Sequence, residues 1–174
     1  MFNSEVYINR RRGLLSKMEA QGAKGIAIFL GNADAPTNYR GNDYKFRQDS
    51  SFLYFWGVDE PWFAAILDLD NSDECLYGND VDIDDIIWMG PQPTVASKAE
   101  AIGCSKTLPL GEFDKAVAAA ISAGRTVHFL PPARYYNQMK LAELTGISNA
   151  GVRKVGPVAA GGASEELVKA VVDL

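Results

Sequence analysis

The chain has 174 residues, 47% of them hydrophobic, enough for one domain that buries roughly 70% of its unfolded surface without a metal or disulfide staple. Seventeen Lys and Arg against 22 Asp and Glu leave a net charge of -5, which repels phosphate backbones and argues against a nucleic-acid partner. The longest apolar runs, Trp62–Leu67 and Ala116–Ile121, fall far short of the ~20 residues of a membrane span, so no membrane partner is expected.

Met1–Arg12 is polar and charged, so no export signal is expected. Cys75 and Cys104 fit no ligand spacing and read as idle thiols of a reducing compartment, so a cytoplasmic location is expected. In chain order, Ser4 reads as the N-cap of a first helix carrying Val6, Leu14, Leu15 and Met18, stopped by Gly22. Its Arg10-Arg11-Arg12 cluster reads as a solvated helix face. Gly25–Leu30 reads as a buried strand, and Gly31–Asn42 as a long loop.

Ser51–Trp56 and Trp62–Leu69 read as two strands joined in a hairpin by Gly57–Pro61, and Glu74–Tyr77 as a third. An acidic loop, Asp80–Asp85, leads to a strand end at Ile86–Trp88 and a proline-broken turn. Helices follow at about Val95–Ile102, Gly111–Ala123 and Ala133–Leu144, with a strand at Thr126–Leu130. Hairpins and helices interleaved with strands predict an α/β domain with a mixed sheet flanked by helices. Val155–Ala163 is glycine-rich and reads as a linker; Ser164 caps a last helix that shows no stop signal. This divides the chain into a domain over 1–154 and a junction over 155–174, with the expectation that the chain is cut short there.

Chemistry is hard to find. His128, the only histidine, lies between Val127 and Phe129 in an apolar strand, where a hydrogen-bonded structural role is expected; a hydrolytic triad would have to use it, since no other histidine can act as base, so nucleophilic catalysis is not expected. Asp80, Asp82, Asp84 and Asp85 lack the glycine and distal glutamate of a calcium loop and read as a solvated turn. The stretch after the first strand is not a dinucleotide fingerprint. The residues alone describe an α/β module without an evident active site.

One stretch is far more specific: Phe46-Arg-Gln-Asp-Ser-Ser-Phe-Leu-Tyr-Phe-Trp-Gly-Val-Asp-Glu-Pro61. It resembles the signature of the N-terminal domain of the aminopeptidase P / prolidase / creatinase family. Arg47, Gln48, Ser50, Phe52, Tyr54, Gly57, Glu60 and Pro61 match that pattern, while Trp56 stands where the family usually has Ser or Thr. The Arg-rich first helix, the Ile87-Trp88 segment and Pro131-Pro132 fit as well. Arg47 is expected to pin nearby carbonyls or Asp49, and most of the motif is expected to be scaffold.

The resemblance implies a creatinase N-terminal-domain type, ribonuclease-H-like fold with no catalytic residue and no metal of its own. It also implies a C-terminal catalytic domain beyond Leu174 holding two divalent metals, usually manganese. The whole protein would be an Xaa-Pro aminopeptidase acting on proline-containing peptides, and this domain would serve assembly of a homo-oligomer (dimer or tetramer) and substrate access. Trp88 would reach toward a neighbouring subunit's cleft, with ordinary packing as the rival, and Asp43 would line the same entrance. The alternatives are a prolidase or creatinase relative, or a non-catalytic peptide-binding module of the same fold.

Overall fold

The computed structural model describes residues 2–39, 41–82, 87, 90–156 and 163–174. Ile86 and Trp88 of the expected strand end, and Asp84 and Asp85 of the acidic loop, lie outside these residues.

The centre is a five-stranded mixed sheet of β1 (Ile26–Leu30), β2 (Ala64–Asp68), β3 (Asp73–Tyr77), β4 (Thr107–Leu108) and β5 (Val127–His128). Their order is β4-β3-β2-β1-β5. β1 and β2, and β2 and β3, run antiparallel, while the outer pairs β1–β5 and β3–β4 are parallel. Both faces are covered, so the period of two along each strand sends alternate residues to different cores. Ala27, Phe29, Ala65, Leu67 and Leu76 enter one cluster, and Ile26, Ile28, Ala64, Ile66, Cys75 and Tyr77 the other.

The first face is covered by α1 (Ser4–Ala20), α2 (Ser50–Trp56), α3 (Val95–Ala101) and α6 (Glu165–Val172); the second by α4 (Leu110–Ser122) and α5 (Tyr135–Thr145). In α1 the buried residues Tyr7, Arg11, Leu14 and Met18 follow helical spacing. Two sequence expectations change in this helix. Asn3, not Ser4, is the N-cap, its Oδ1 accepting from the Glu5 amide at 3.2 Å. Within the arginine cluster, Arg11 is buried among hydrogen-bond partners from three other segments, while Arg12 is exposed as a solvated face requires.

The largest correction concerns Ser51–Trp56, a helix rather than a strand. Asp49 accepts from the amides of Ser51 and Phe52, both at 3.0 Å, and Gly57 ends the helix at φ 65, its amide bonded to Leu53 O. Phe52, Phe55 and Trp56 are buried at helical spacing, whereas Tyr54 is half-exposed. Residues 57–61 therefore form a helix-to-strand connection and not a hairpin.

The stretch read as a linker contributes β6 (Val155–Gly156) and β7 (Ala163–Ser164), which pair in parallel. Ala163 is fully buried, the Ser164 amide bonds Phe129 O at 3.0 Å, and Leu167 and Ala170 of α6 lie in the first core beside α1. The terminal helix is thus part of this domain's packing.

Candidate functional site

The signature stretch is organised by Gln48, which is 4% exposed. Its Oε1 accepts from the amides of Asn32 (2.7 Å) and Asp49 (2.9 Å), and its Nε2 donates to Val58 O (3.0 Å) and Glu60 O (2.8 Å). One side chain thereby ties the exit of β1 to both flanks of α2, with all four of its hydrogen bonds made. Arg47, expected to do this, is exposed and its side chain makes no hydrogen bond among the described residues; only its carbonyl is used, accepting from Asn32 Nδ2 at 2.8 Å. Gln48→Ala would leave two amides and two carbonyls without partners, the buried Asn32 amide and Val58 carbonyl among them, so a loss of about 2–3 kcal/mol in urea unfolding is expected.

The remaining signature residues divide by environment. Phe52 is core, and Ser50 is the exposed first residue of α2. Tyr54 is half-exposed beneath the Arg10 guanidinium, 3.9 Å from its ring centre, and Arg10 also donates to Tyr54 O at 2.8 Å. Gly57 leaves no room for a side chain, since a Cβ would lie 2.4 Å from the Tyr7 ring. Glu60 pairs with Lys98, and Pro61 precedes Trp62. Asp43 is exposed and bridges to Pro36 across the long loop. Trp88 lies outside the described residues.

Beside the signature, where β1 ends and β2 begins, lies a cavity of about 250 Å³ that sequence reasoning did not anticipate. One wall is Trp62, which adopts φ 65, a left-handed conformation costing a bulky residue on the order of 1–3 kcal/mol. Its indole donates to Asp34 at 2.9 Å and packs edge-on against Tyr136, centroids 5.5 Å apart. Asn137 is buried in the same wall and donates to Asn32 Oδ1 at 3.2 Å.

Residues 7–128 match the family model described as "Aminopeptidase P, N-terminal domain". The chain belongs to this family. The aminopeptidase P N-terminal domain is also what its similar proteins share with it. An Xaa-Pro aminopeptidase of Escherichia coli is 29% identical over 111 residues, covering 61% of this chain and 24% of that protein. Mouse Xaa-Pro aminopeptidase 3 is 31% identical over 117 residues, covering 62% and 23%. This chain thus spans about a quarter of the length of those relatives. Among solved structures, zinc-substituted E. coli aminopeptidase P in complex with product aligns with a TM-score of 0.67 at 20% identity, over 84% of this chain and 33% of that one. A proline aminopeptidase from Yersinia pestis gives 0.66 at 23%, over 83% and 33%. These likenesses show the fold: a mixed sheet flanked by helices.

Within this aminopeptidase P N-terminal domain, His128 is locked in place. Nε2 lies 3.0 Å from Lys24 O and must donate to it, and Nδ1 lies 2.7 Å from Ser164 Oγ, whose single proton is shared between the neutral ring's Nδ1 and Glu166 Oε2, 3.0 Å away. Burial pushes its pKa below the ordinary value, outweighing the Lys24 carbonyl and the charges of Glu166 and Asp70 that act to raise it. The folded state then holds fewer protons than the unfolded chain, so the contribution to stability is complete above about pH 6.5 and is lost as pH falls through the lowered folded value. Urea midpoints should fall between pH 7.5 and 5.5, and His128→Gln should flatten that slope. Asp68 and Asp70 act only at lower pH: both stay below the usual carboxylate range, Asp68 because Arg125 and turn hydrogen bonds outweigh burial, Asp70 chiefly through the Gly25 amide.

Both cysteines are buried and free, and burial raises their pKa values, that of Cys104 to about 11. They are poor nucleophiles. Asp80 is spent on the Val95 amide at 2.6 Å, and among the described residues no three His, Cys, Asp or Glu side chains cluster as metal ligands.

Proposed function

We propose that this chain is the non-catalytic N-terminal part of an Xaa-Pro aminopeptidase, a cytoplasmic metallopeptidase that removes the residue preceding proline. The observation carrying the reading is the family match over residues 7–128, together with relatives that are named Xaa-Pro aminopeptidases. The chemistry within the chain agrees with a scaffold. Its single histidine is held by Lys24 and Ser164 inside the fold, and Gln48, Asp49 and Gly57 of the signature are spent on shaping the backbone.

In this reading a C-terminal domain would hold two divalent metals, manganese ions, on its own residues, and the chemistry they would supply is activation of water. The present domain shapes substrate access through Asp43 and Trp88 and builds a dimer or tetramer. The test compares this chain with a longer protein that continues through its native reading frame, assaying manganese-dependent release of the first residue from an Xaa-Pro-Xaa peptide. Activity confined to the longer protein supports the reading. Sedimentation velocity on the same sample reads assembly, and Trp88→Ala reads access as a higher KM. A folded longer protein without activity would favour the peptide-binding alternative.

A further inference from the structure

We propose that His128 is a proton-sensitive latch that holds the start of α6 against the sheet and releases it in mildly acid conditions. The latch lies wholly within this domain, so its test is separate from any assay of peptidase activity.

The imidazole joins three segments that are distant in sequence. It stands on β5, at one edge of the sheet, and is 3% exposed. Nε2 is fixed on Lys24 O just ahead of β1, and Nδ1 meets the hydroxyl of Ser164, the N-cap of α6. That same hydroxyl oxygen accepts from the Leu167 amide at 3.1 Å, so one atom both starts the helix and touches the ring. Around this knot α6 is seated by the Ser164 amide on Phe129 O, by Gln21 Nε2 on Glu166 O at 3.1 Å, and by Leu167 and Ala170 in the core beside α1. Lifting the start of α6 removes the ring's cover and lets water reach Nδ1.

The charged groups around the ring decide what a proton does there. Glu166 approaches from α6, and its hydrogen-bond path to the ring runs through Ser164 Oγ. Asp70 acts from the β2–β3 turn but is paired with Arg125, just ahead of β5, at 2.9 Å. Lys24 offers its carbonyl and is itself exposed. A proton on Nδ1 would complete the path to Glu166, with Nδ1 donating to Oγ and the hydroxyl turning to the carboxylate. Against that gain stands a cation with almost no access to water, and burial is the larger influence, which keeps the ring below its ordinary pKa. The open form, with a wet ring, takes the proton more readily than the closed form. Linkage then sets the sign: docking of α6 is strongest above about pH 6.5 and weakens as pH falls toward the lowered value of the closed form. His128 is the one histidine in the chain, and no other side chain of ordinary pKa titrates between pH 7.5 and 5.5.

The test is residue-resolved hydrogen exchange of this chain at pH 7.5, 6.5 and 5.5, with each rate divided by its intrinsic rate at that pH. The Ser164 and Leu167 amides report the latch, and the amides of β1 report opening of the whole fold. Ser164 and Leu167 should be less protected than β1. Their protection should fall by up to about tenfold between pH 7.5 and 5.5, the most that one group of ordinary pKa 6.5 can yield over that interval. His128→Gln offers a donor to Lys24 O and an acceptor to Ser164, so it should keep both amides protected and abolish the fall. Glu166→Gln removes the anion that favours a charged ring, so it should keep or deepen the fall.

The proposal is overturned if protection at Ser164 and Leu167 stays level toward pH 5.5. It is equally overturned if that protection rises, since the completed path to Glu166 would then outweigh burial. A fall that persists in His128→Gln, or becomes shallower in Glu166→Gln, also refutes it. So does a single protection factor shared with β1 at every pH, because α6 would then never open apart from the sheet.

Discussion

Arg11→Ala is expected to cost about 3–5 kcal/mol of unfolding free energy, a large share of the roughly 5–15 kcal/mol available to a domain of this kind. Arg11 is 1% exposed, and all three guanidinium nitrogens are engaged. Nε and Nη2 form a two-pronged pair with Glu74 of β3 at 2.7 and 2.8 Å. Nη1 donates to Phe55 O near the end of α2, and Nη2 also donates to Ile102 O just past α3, both at 3.0 Å. The guanidinium carbon stands 4.9 Å from the centre of the Trp56 ring.

Removing the arginine leaves Glu74 without its cation and two buried carbonyls without a donor, and the desolvation of those groups sets the size of the effect. Arg11→Lys should recover only part of the loss, because an ammonium cannot span the carboxylate and both carbonyls at once. The double variant Arg11→Met with Glu74→Leu should be clearly more stable than Arg11→Ala, since no charge is stranded. Urea unfolding of all three variants is the measurement. A loss below about 1 kcal/mol for Arg11→Ala would place the pair among surface ion pairs and refute the reading.

Gly25→Ala should be nearly as damaging, at about 3 kcal/mol or more, through backbone geometry alone. Gly25 enters β1 at φ 103, and a Cβ there would lie 2.1 Å from Thr126 O and 2.9 Å from Thr126 N and C. These are backbone atoms, and they cannot give way cheaply. The Ile26 amide holds Thr126 O at 2.9 Å, the Gly25 amide donates to Asp70, and Arg125 donates to Gly25 O. The junction of β1, β5 and the β2–β3 turn is closed around an absent side chain. Gly22→Ala is the control: it shares a positive φ of 70 but meets nothing, so about 1 kcal/mol is expected there. Equal losses at both positions would mean that conformation, not contact, decides.

Much of this was legible beforehand. Gly25–Leu30, Trp62–Leu69 and Glu74–Tyr77 each overlap an observed strand, and the four long helical stretches each overlap a helix within a residue or two at the ends. The signature stretch pointed to the family that the match over residues 7–128 establishes. The failure at Ser51–Trp56 has a local cause. Six consecutive apolar or small residues satisfy a period of two and of 3.6 equally, and the deciding signals were Asp49 as cap and Gly57 as stop, both present in the sequence and outweighed by aromatic strand preference. The cavity had no such signal, since Asn32, Trp62, Gly111 and Asn137 come from four separate segments.

By itself, then, the sequence determined the class of fold, the places where the chain turns, and the family. Composition, hydrophobic period and capping residues act within a few positions of one another, and a short motif can be read without knowing its neighbours in space. The tertiary structure decided which polar residues are buried: Arg11 on Glu74, 63 positions away, Gln48 as the clamp in place of Arg47, and Asn137 on Asn32 across 105 positions. Such pairings depend on which partner stands opposite when the sheet and helices close. No local pattern encodes that, because the cost of burying a charge or an amide is set wholly by the group it meets.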